Sequence, residues 1–170
     1  FNSNQKGIIG EKLFAKNNGG EVVGFLGKKT DVIIDDKSYS IKTTYGNSWN
    51  HHLAYITDEK IKNKYNEKKK FSTLLDFDLH KLVMSFINGE QNINFLALQI
   101  VKMDELNSNI EKTVLYNIPI KLIEETLTNN NYFFNNNELI LINNKELFLK
   151  FSIKNRSQSL QVMLSTYNKS

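Results

Sequence analysis

The chain contains no cysteine and a single proline among its 170 residues. Without cysteine, no disulfide, thiolate zinc site or cysteine nucleophile can form, which fits a reducing compartment. No apolar run approaches the roughly 20 residues that a membrane helix needs, and no basic-then-apolar leader opens the sequence. We therefore expect a soluble, cytoplasmic protein with no membrane partner.

Arginine is almost as scarce. Arg156 is the only one, so lysine supplies nearly all the positive charge of a chain whose net charge is +4. Lysine is a strongly hydrated point charge that suits attraction to phosphate, whereas bidentate reading of guanine favours arginine. The charge therefore permits a polyanionic partner such as DNA without requiring one.

The chain is long enough for one sizeable core, and we expect a single domain over residues 1–170. Apolar spacing and stop signals predict helices near 6–18, 57–70, 77–88 and 119–127. Alternation and β-branched residues predict strands at 31–34 and 38–44 joined by a tight turn, then at 93–103 and 113–118, with four short strands after residue 131. These elements predict an α/β (α+β) fold, a mixed central sheet flanked by helices.

The 31–44 hairpin carries the residues with chemical potential. Side chains alternate along a strand, so Asp31 shares a face with Ile33, while Ser40 and Lys42 share a face on the returning strand. An acid and a lysine can therefore meet at one end of the hairpin. Phosphodiester cleavage needs a hard cation that offsets phosphate charge and lowers the pKa of water, and a positive or acidic group beside the scissile phosphate.

With Glu11 on the preceding helix, the order of these residues resembles that of the PD-(D/E)XK nucleases, which include many type II restriction endonucleases and Holliday-junction resolvases. The resemblance covers the N-terminal part of the chain and implies a restriction-endonuclease-like fold. It also implies that Asp31 binds Mg²⁺, for which Mn²⁺ substitutes, and that Glu11 completes or supports the metal shell. Lys42 would orient the attacking water or help to deprotonate it, and Ile41 would offer its backbone carbonyl to the metal.

The sequence departs from the family pattern at two positions. Thr30 replaces the proline, and Ser40 stands where the second carboxylate belongs. Serine cannot supply the negative charge that holds a divalent ion. Some family members with serine at this position recruit a glutamate from a later helix. Asp58 or Glu59 could supply that carboxylate here, and otherwise Glu11 must compensate.

Each candidate site residue also has a simpler structural interpretation. Asp31 could merely begin a strand and Lys42 merely end one, while Asp35 and Asp36 are typical of tight turns. Glu21 is a weaker alternative to Glu11. A histidine metal site at 51–52 ranks below a DNA-contacting loop, because adjacent histidines point apart in a strand.

Two polar segments are candidates for contacting DNA. The predicted loop at 47–52 holds Trp49, an aromatic residue that could stack on a base or cap a core edge. The segment before the last predicted strand holds the only arginine among small polar residues, where phosphate contact and simple turn chemistry are both open. The candidate DNA-binding residues are Tyr45, Asn47, Trp49, Asn50, His51, His52, Lys154 and Arg156.

The leading hypothesis is therefore a Mg²⁺-dependent endonuclease of restriction type acting on double-stranded DNA. A homodimer is expected, because a twofold axis matches the two strands of a duplex. A structure-specific resolvase or repair nuclease is one alternative, and a non-catalytic nucleic-acid-binding domain is another. The discriminating observation is whether the carboxylates of Asp31 and Glu11, or of Asp58 or Glu59, converge near Lys42.

Overall fold

The computed structural model describes residues 3–23, 31–46, 49–67, 74–106, 109–144, 146–154 and 159–164. In these ranges the elements, in chain order, are α1 (Ser3–Asn18), β1 (Glu21–Val22), β2 (Val32–Ile34), β3 (Lys37–Tyr45), β4 (His51–Tyr55), α2 (Glu59–Glu67), α3 (Asp76–Gly89), β5 (Phe95–Met103), β6 (Ile110–Pro119), α4 (Ile120–Thr128), β7 (Tyr132–Asn135), β8 (Glu138–Asn143), β9 (Glu146–Lys154) and β10 (Ser159–Leu164). The predicted mixed α+β class is confirmed. None of the helices in these ranges has the length and apolar character to cross a membrane.

The contacts divide the chain into two compact units, each assembled from two segments. The first unit comprises Phe1–His51 and Glu90–Leu122, and the second comprises His52–Gly89 and Ile123–Ser170. The single domain expected from the length of the chain remains a prediction.

The first unit contains a five-stranded mixed sheet with the order β1-β2-β3-β5-β6. β3 and β5 run parallel, with Lys42 opposite Leu98, and the other neighbours are antiparallel. The β2–β3 turn places Asp35 and Asp36 in the left-handed region, at φ values of 49° and 63°. Two successive positive φ values are typical of the two-residue hairpin turns that match strand twist. Both aspartates are therefore turn residues.

Helix α1 covers one face of this sheet. Phe14 packs into a buried cluster with Val32, Ile41 and Ala97. Because neighbours along a strand point to opposite faces, Lys42 lies on the face away from α1. The sheet thus has one apolar face, which packs under α1, and an opposite face that carries Lys42.

A glycine allows α1 to approach the sheet closely. A Cβ atom on Gly10 would lie only 2.3 Å from the Oγ1 of Thr43 on β3. No residue with a side chain fits at that distance unless the strand or the helix shifts. The close approach carries the next residue, Glu11, to the level of the β3 strand.

The second unit contains a five-stranded sheet of its own, with the order β4-β10-β9-β8-β7. Its β7–β8, β8–β9 and β9–β10 pairs are antiparallel, and α3 packs against β8 and β9. The first unit contains a mixed sheet of the predicted kind, and the second unit adds a sheet that the sequence patterns did not specify. Short turns between consecutive strands favour pairing with the sequence neighbour, so the C-terminal strands pair among themselves.

Two local predictions also need correction. The loop expected at 47–52 ends at Asn50, because His51 and Leu53 are buried and alternate with the exposed His52 as the first residues of β4. The helix expected from residue 57 is capped by Asp58, whose Oδ1 accepts a hydrogen bond from the Ile61 N–H at 3.1 Å. Aspartate is a preferred N-cap because its carboxylate reaches the third helical N–H.

Candidate functional site

Two predicted site residues meet at the start of β2 in the first sheet. Glu11 lies on α1, and Asp31 lies directly before β2. Their carboxyl groups interact, and the charge of the Lys42 ammonium group acts on both. The structure therefore brings together the helical acid, the strand aspartate and the lysine that the sequence pattern selected.

Asp31 is held in place by the neighbouring strand. Its Oδ2 accepts a hydrogen bond from the Ile41 N–H at 2.8 Å, and its own N–H donates to the Tyr39 carbonyl at 2.9 Å. A strand residue presents its N–H and C=O to the same edge. The Ile41 carbonyl therefore faces the edge on which the Asp31 carboxylate lies.

The electrostatics of the pair are unusual. Burial raises the pKa of Glu11 to about 7, aided by the charge of Asp31 and by the hydrogen bond with it, while Lys42 acts in the opposite direction. Burial also raises the pKa of Asp31, although the Ile41 N–H, Lys42 and the Glu11 hydrogen bond each counter that rise. Below about pH 7, Glu11 is therefore the member of the pair that carries a proton, and Asp31 is the member that accepts it. Two acids in this state are poised to gain from a nearby cation.

Ser40 is the polar residue of β3 that precedes this site. Its side chain is only 2% exposed, and the strand alternation puts it on the same face as Lys42. In the described part of the chain, no group of three or more histidine, cysteine or acidic residues is arranged to hold a metal. The candidate donors are therefore the two carboxylates and the Ile41 carbonyl. That set fits Mg²⁺, which proteins commonly bind through one or two carboxylates with water completing the shell.

The alternative carboxylates, Asp58 and Glu59, lie in the second unit. Besides capping α2, Asp58 forms an ion pair with Lys81 at 3.2 Å. The hydrogen bond from the Ile61 N–H, followed by the contact with Lys81, lowers the pKa of Asp58. Glu59 is exposed in the first turn of the helix. Asp58 thus has a structural role of its own, and its recruitment to a metal site remains a prediction.

One residue that positions the site was missed by the sequence reasoning. Gln99 on β5 is 2% exposed, and its Nε2 donates to the Gly10 carbonyl at 3.0 Å and to the Thr43 Oγ1 at 3.2 Å. It joins the helix, directly before Glu11, to the β3 strand. The available signal was a glutamine within an otherwise apolar stretch of a buried strand, where an amide needs partners.

The predicted DNA-contacting residues differ in how exposed they are. Trp49 is 38% exposed, and Asn50 and His52 are exposed as well. The Tyr45 hydroxyl donates to the Lys6 carbonyl at 2.8 Å, and burial raises the pKa of Tyr45. Three of these residues thus remain accessible to a ligand, and Tyr45 is partly buried.

His51 is the exception among them. It is only 2% exposed, and its ring nitrogens lie 3.1 Å from the Trp49 carbonyl and 3.2 Å from the Gln99 carbonyl. The prediction of a direct DNA contact by His51 therefore needs correction, because the imidazole joins protein strands. Asn47, Arg156 and the side chain of Lys154 lie outside the described residues.

No protein-family model, curated protein or solved structure matches this chain. A functional assignment therefore depends on the chemistry of the site itself.

Proposed function

We propose that this chain is a Mg²⁺-dependent DNA endonuclease whose active site comprises Glu11, Asp31 and Lys42, with Mn²⁺ able to substitute. The observation that carries the proposal is the convergence of two acids. Asp31, whose Oδ2 accepts the Ile41 N–H at 2.8 Å, interacts with Glu11 under the charge of Lys42, and burial raises the pKa of both acids. Crowded carboxyl groups disfavour ionisation of one another, and a divalent cation relieves that repulsion. The same three residues occupy the helical acid, strand aspartate and lysine positions of the PD-(D/E)XK pattern.

Each residue has a defined task in this proposal. Asp31, Glu11 and the Ile41 carbonyl would hold the cation, and Glu11 must first release the proton that it shares with Asp31. Bound there, Mg²⁺ would offset charge on the phosphate and lower the pKa of the attacking water. The ammonium group of Lys42 attracts the scissile phosphate and stabilises the negative charge that develops on it. Ser40 contributes hydrogen bonding and no ligand charge.

Double-stranded DNA is the proposed substrate, cut by a homodimer of restriction type, with a resolvase or repair nuclease as the alternative within the same chemistry. A cytoplasmic location stays a prediction from the sequence. One observation favours a different class: Ser40 leaves the site with two carboxylates, which suits a non-catalytic nucleic-acid-binding domain.

Cleavage of supercoiled plasmid tests the proposal. We expect cutting with Mg²⁺ or Mn²⁺, and a loss of about 100-fold or more in Asp31→Asn and in Lys42→Gln, because each loses charge at the reacting phosphate. Asp36→Asn is the matched control, since it makes the same chemical change in an exposed turn where asparagine tolerates the positive φ. This control should cut like the wild type.

Two results would contradict the proposal. If long genomic DNA, plasmid and branched DNA all stay intact with both metals, the nuclease assignment is removed, and equal cutting by Asp31→Asn would point to a contaminating enzyme. Titration with Mn²⁺, followed by electron paramagnetic resonance, supplies a second readout. Loss of Mn²⁺ binding in Asp31→Asn but not in Asp36→Asn would keep the metal site even if the plasmid stays intact.

A further inference from the structure

The first unit carries an aromatic pair made of the exposed Trp49 and the partly buried Tyr116. The rings of Trp49 and Tyr116 pack with their centroids 6.2 Å apart at an interplanar angle of 44°. Trp49 is 38% exposed, so a large part of the indole surface is open to a ligand. Tyr116 belongs to β6, the last strand of the sheet.

The sheet register connects this pair to the proposed active site. Lys42 is opposite Leu98 on β5, and Leu98 is opposite Tyr116 on β6. Cross-strand partners share a face, so all three lie in one row on the face away from α1. With strands about 4.8 Å apart, the Cα atoms of Lys42 and Tyr116 are about 10 Å apart. Leu98, between them, is fully buried.

The backbone that presents Trp49 is anchored. The buried His51 imidazole reaches the Trp49 carbonyl with one nitrogen and the Gln99 carbonyl on β5 with the other. These contacts join the segment before β4 to the middle of the sheet. The indole is therefore presented on a fixed backbone, which lowers the entropy cost of stacking on a ligand.

We propose that Trp49 and Tyr116 form a stacking site for an unpaired nucleobase of a DNA strand whose phosphate reaches Lys42. This inference rests on the proposed function and, within it, favours the resolvase or repair-nuclease alternative over the restriction type. Aromatic side chains bind bases through their π-faces without regard to sequence, beside cationic groups that follow the backbone. Bases inside an intact duplex are already stacked on both faces. The site therefore favours single-stranded, gapped or branched DNA over a continuous duplex.

The chain has one tryptophan, so fluorescence excited at the long-wavelength edge of the indole band, where tyrosine does not absorb, reports on Trp49. The full chain, in low salt with EDTA, is titrated with a short oligothymidylate, an abasic strand of equal length and a blunt duplex. We expect the oligothymidylate to quench the fluorescence and to bind several-fold more tightly than the other two. Tyr116→Leu should weaken that binding by roughly 5- to 100-fold. Tyr55→Leu, at a tyrosine that is 69% exposed, is the matched control and should bind like the wild type.

Equal quenching by the abasic strand would overturn the stacking site, because backbone charge alone would then explain binding. Tighter binding of the duplex, or an unchanged affinity in Tyr116→Leu, would overturn it as well. Asp31→Asn separates the two proposals, since it should lose cleavage and keep quenching. Quenching with no cleavage of plasmid, single-stranded or branched DNA by the wild type would retain the stacking site and remove the nuclease. Cleavage without quenching would retain the nuclease and remove the stacking site.

Discussion

The two units each contain a largely buried aspartate next to a lysine, and the two aspartates are in opposite electrostatic states. In the second unit, Asp78 is 6% exposed and receives hydrogen bonds from the Lys64 Nζ at 2.8 Å and the Tyr65 hydroxyl at 2.5 Å. Burial alone would raise the pKa of Asp78, but these hydrogen bonds and the lysine charges outweigh it, and the pKa is lowered. In the first unit, the pKa of Asp31 is raised.

The difference lies in what the chain provides for each charge. Asp78 has donors on α2 within its own unit, and Tyr65 in turn accepts a hydrogen bond from the Leu75 N–H at 2.8 Å. Asp31 instead faces a second acid, Glu11. A buried carboxylate that receives hydrogen bonds from its own chain, such as Asp78, holds structural elements together. Two acids in contact, such as Glu11 and Asp31, are the arrangement expected where a cation or substrate binds. The first is structural, and the second is the functional candidate.

Neutralising each aspartate should therefore affect stability differently. Asp78→Asn is expected to lower the free energy of unfolding by about 2 kcal/mol, because the donors of Lys64 and Tyr65 lose a charged acceptor. At pH 8, Asp31→Asn should keep the free energy of unfolding within about 1 kcal/mol of the wild-type value or raise it. An amide oxygen can still accept the hydrogen bond from the Ile41 N–H, and the repulsion from Glu11 disappears. Urea unfolding followed by circular dichroism measures both. A larger loss in Asp31→Asn than in Asp78→Asn would reverse the comparison.

A smaller effect is expected from the contact that positions the acid pair. Gly10→Ala should destabilise the protein by about 1 to 2 kcal/mol, because the new methyl group meets Thr43. It should also weaken Mn²⁺ binding, since Glu11 moves with the helix. Gly7→Ala is the control on the same helix, where a Cβ meets nothing within 4 Å, and it should stabilise by about 0.5 to 1 kcal/mol. If both variants are stabilised alike, the close approach of α1 does not position the site.

Local sequence patterns predicted most of the elements in both units. Alternation and strand-forming residues located the 31–45 hairpin, and Pro119 marked the start of α4 within one residue. These features depend on neighbouring residues, so a single sequence contains them. The contact between Glu11 and Asp31 was predicted from the resemblance to a nuclease family. No local sequence pattern could have predicted it, because the two residues lie on different elements that only the fold brings together.

The parts that escaped prediction depend on partners far apart in the chain. Gln99 meets Gly10 only because β5 inserts between β3 and β6. Tyr116 joins the row of Lys42 through two strand registers, which no pattern in β6 itself encodes. The second sheet was missed for the same reason, since short strands do not specify which sheet they join.

The pH dependence of stability tests the proton of the acid pair directly. The pKa of Glu11 is raised from 4.5 to about 7. Between those values the folded protein binds more protons than the unfolded chain, so its free energy of unfolding falls as the pH rises from about 4.5 to about 7. The raised pKa of Asp31 acts in the same direction. Glu11→Gln should reduce this fall, because a neutral amide donates to Asp31 at every pH.

Urea unfolding of the wild type and Glu11→Gln at pH 5 and pH 8 measures the effect. The variant should match the wild type at pH 5 and exceed it at pH 8, where the wild type carries two carboxylates in contact. Glu59→Gln removes a charge from an exposed helical turn and should keep the wild-type difference between the two pH values. If that difference also survives unchanged in Glu11→Gln, Glu11 does not hold the proton, and the contrast between Asp31 and Asp78 would need another cause.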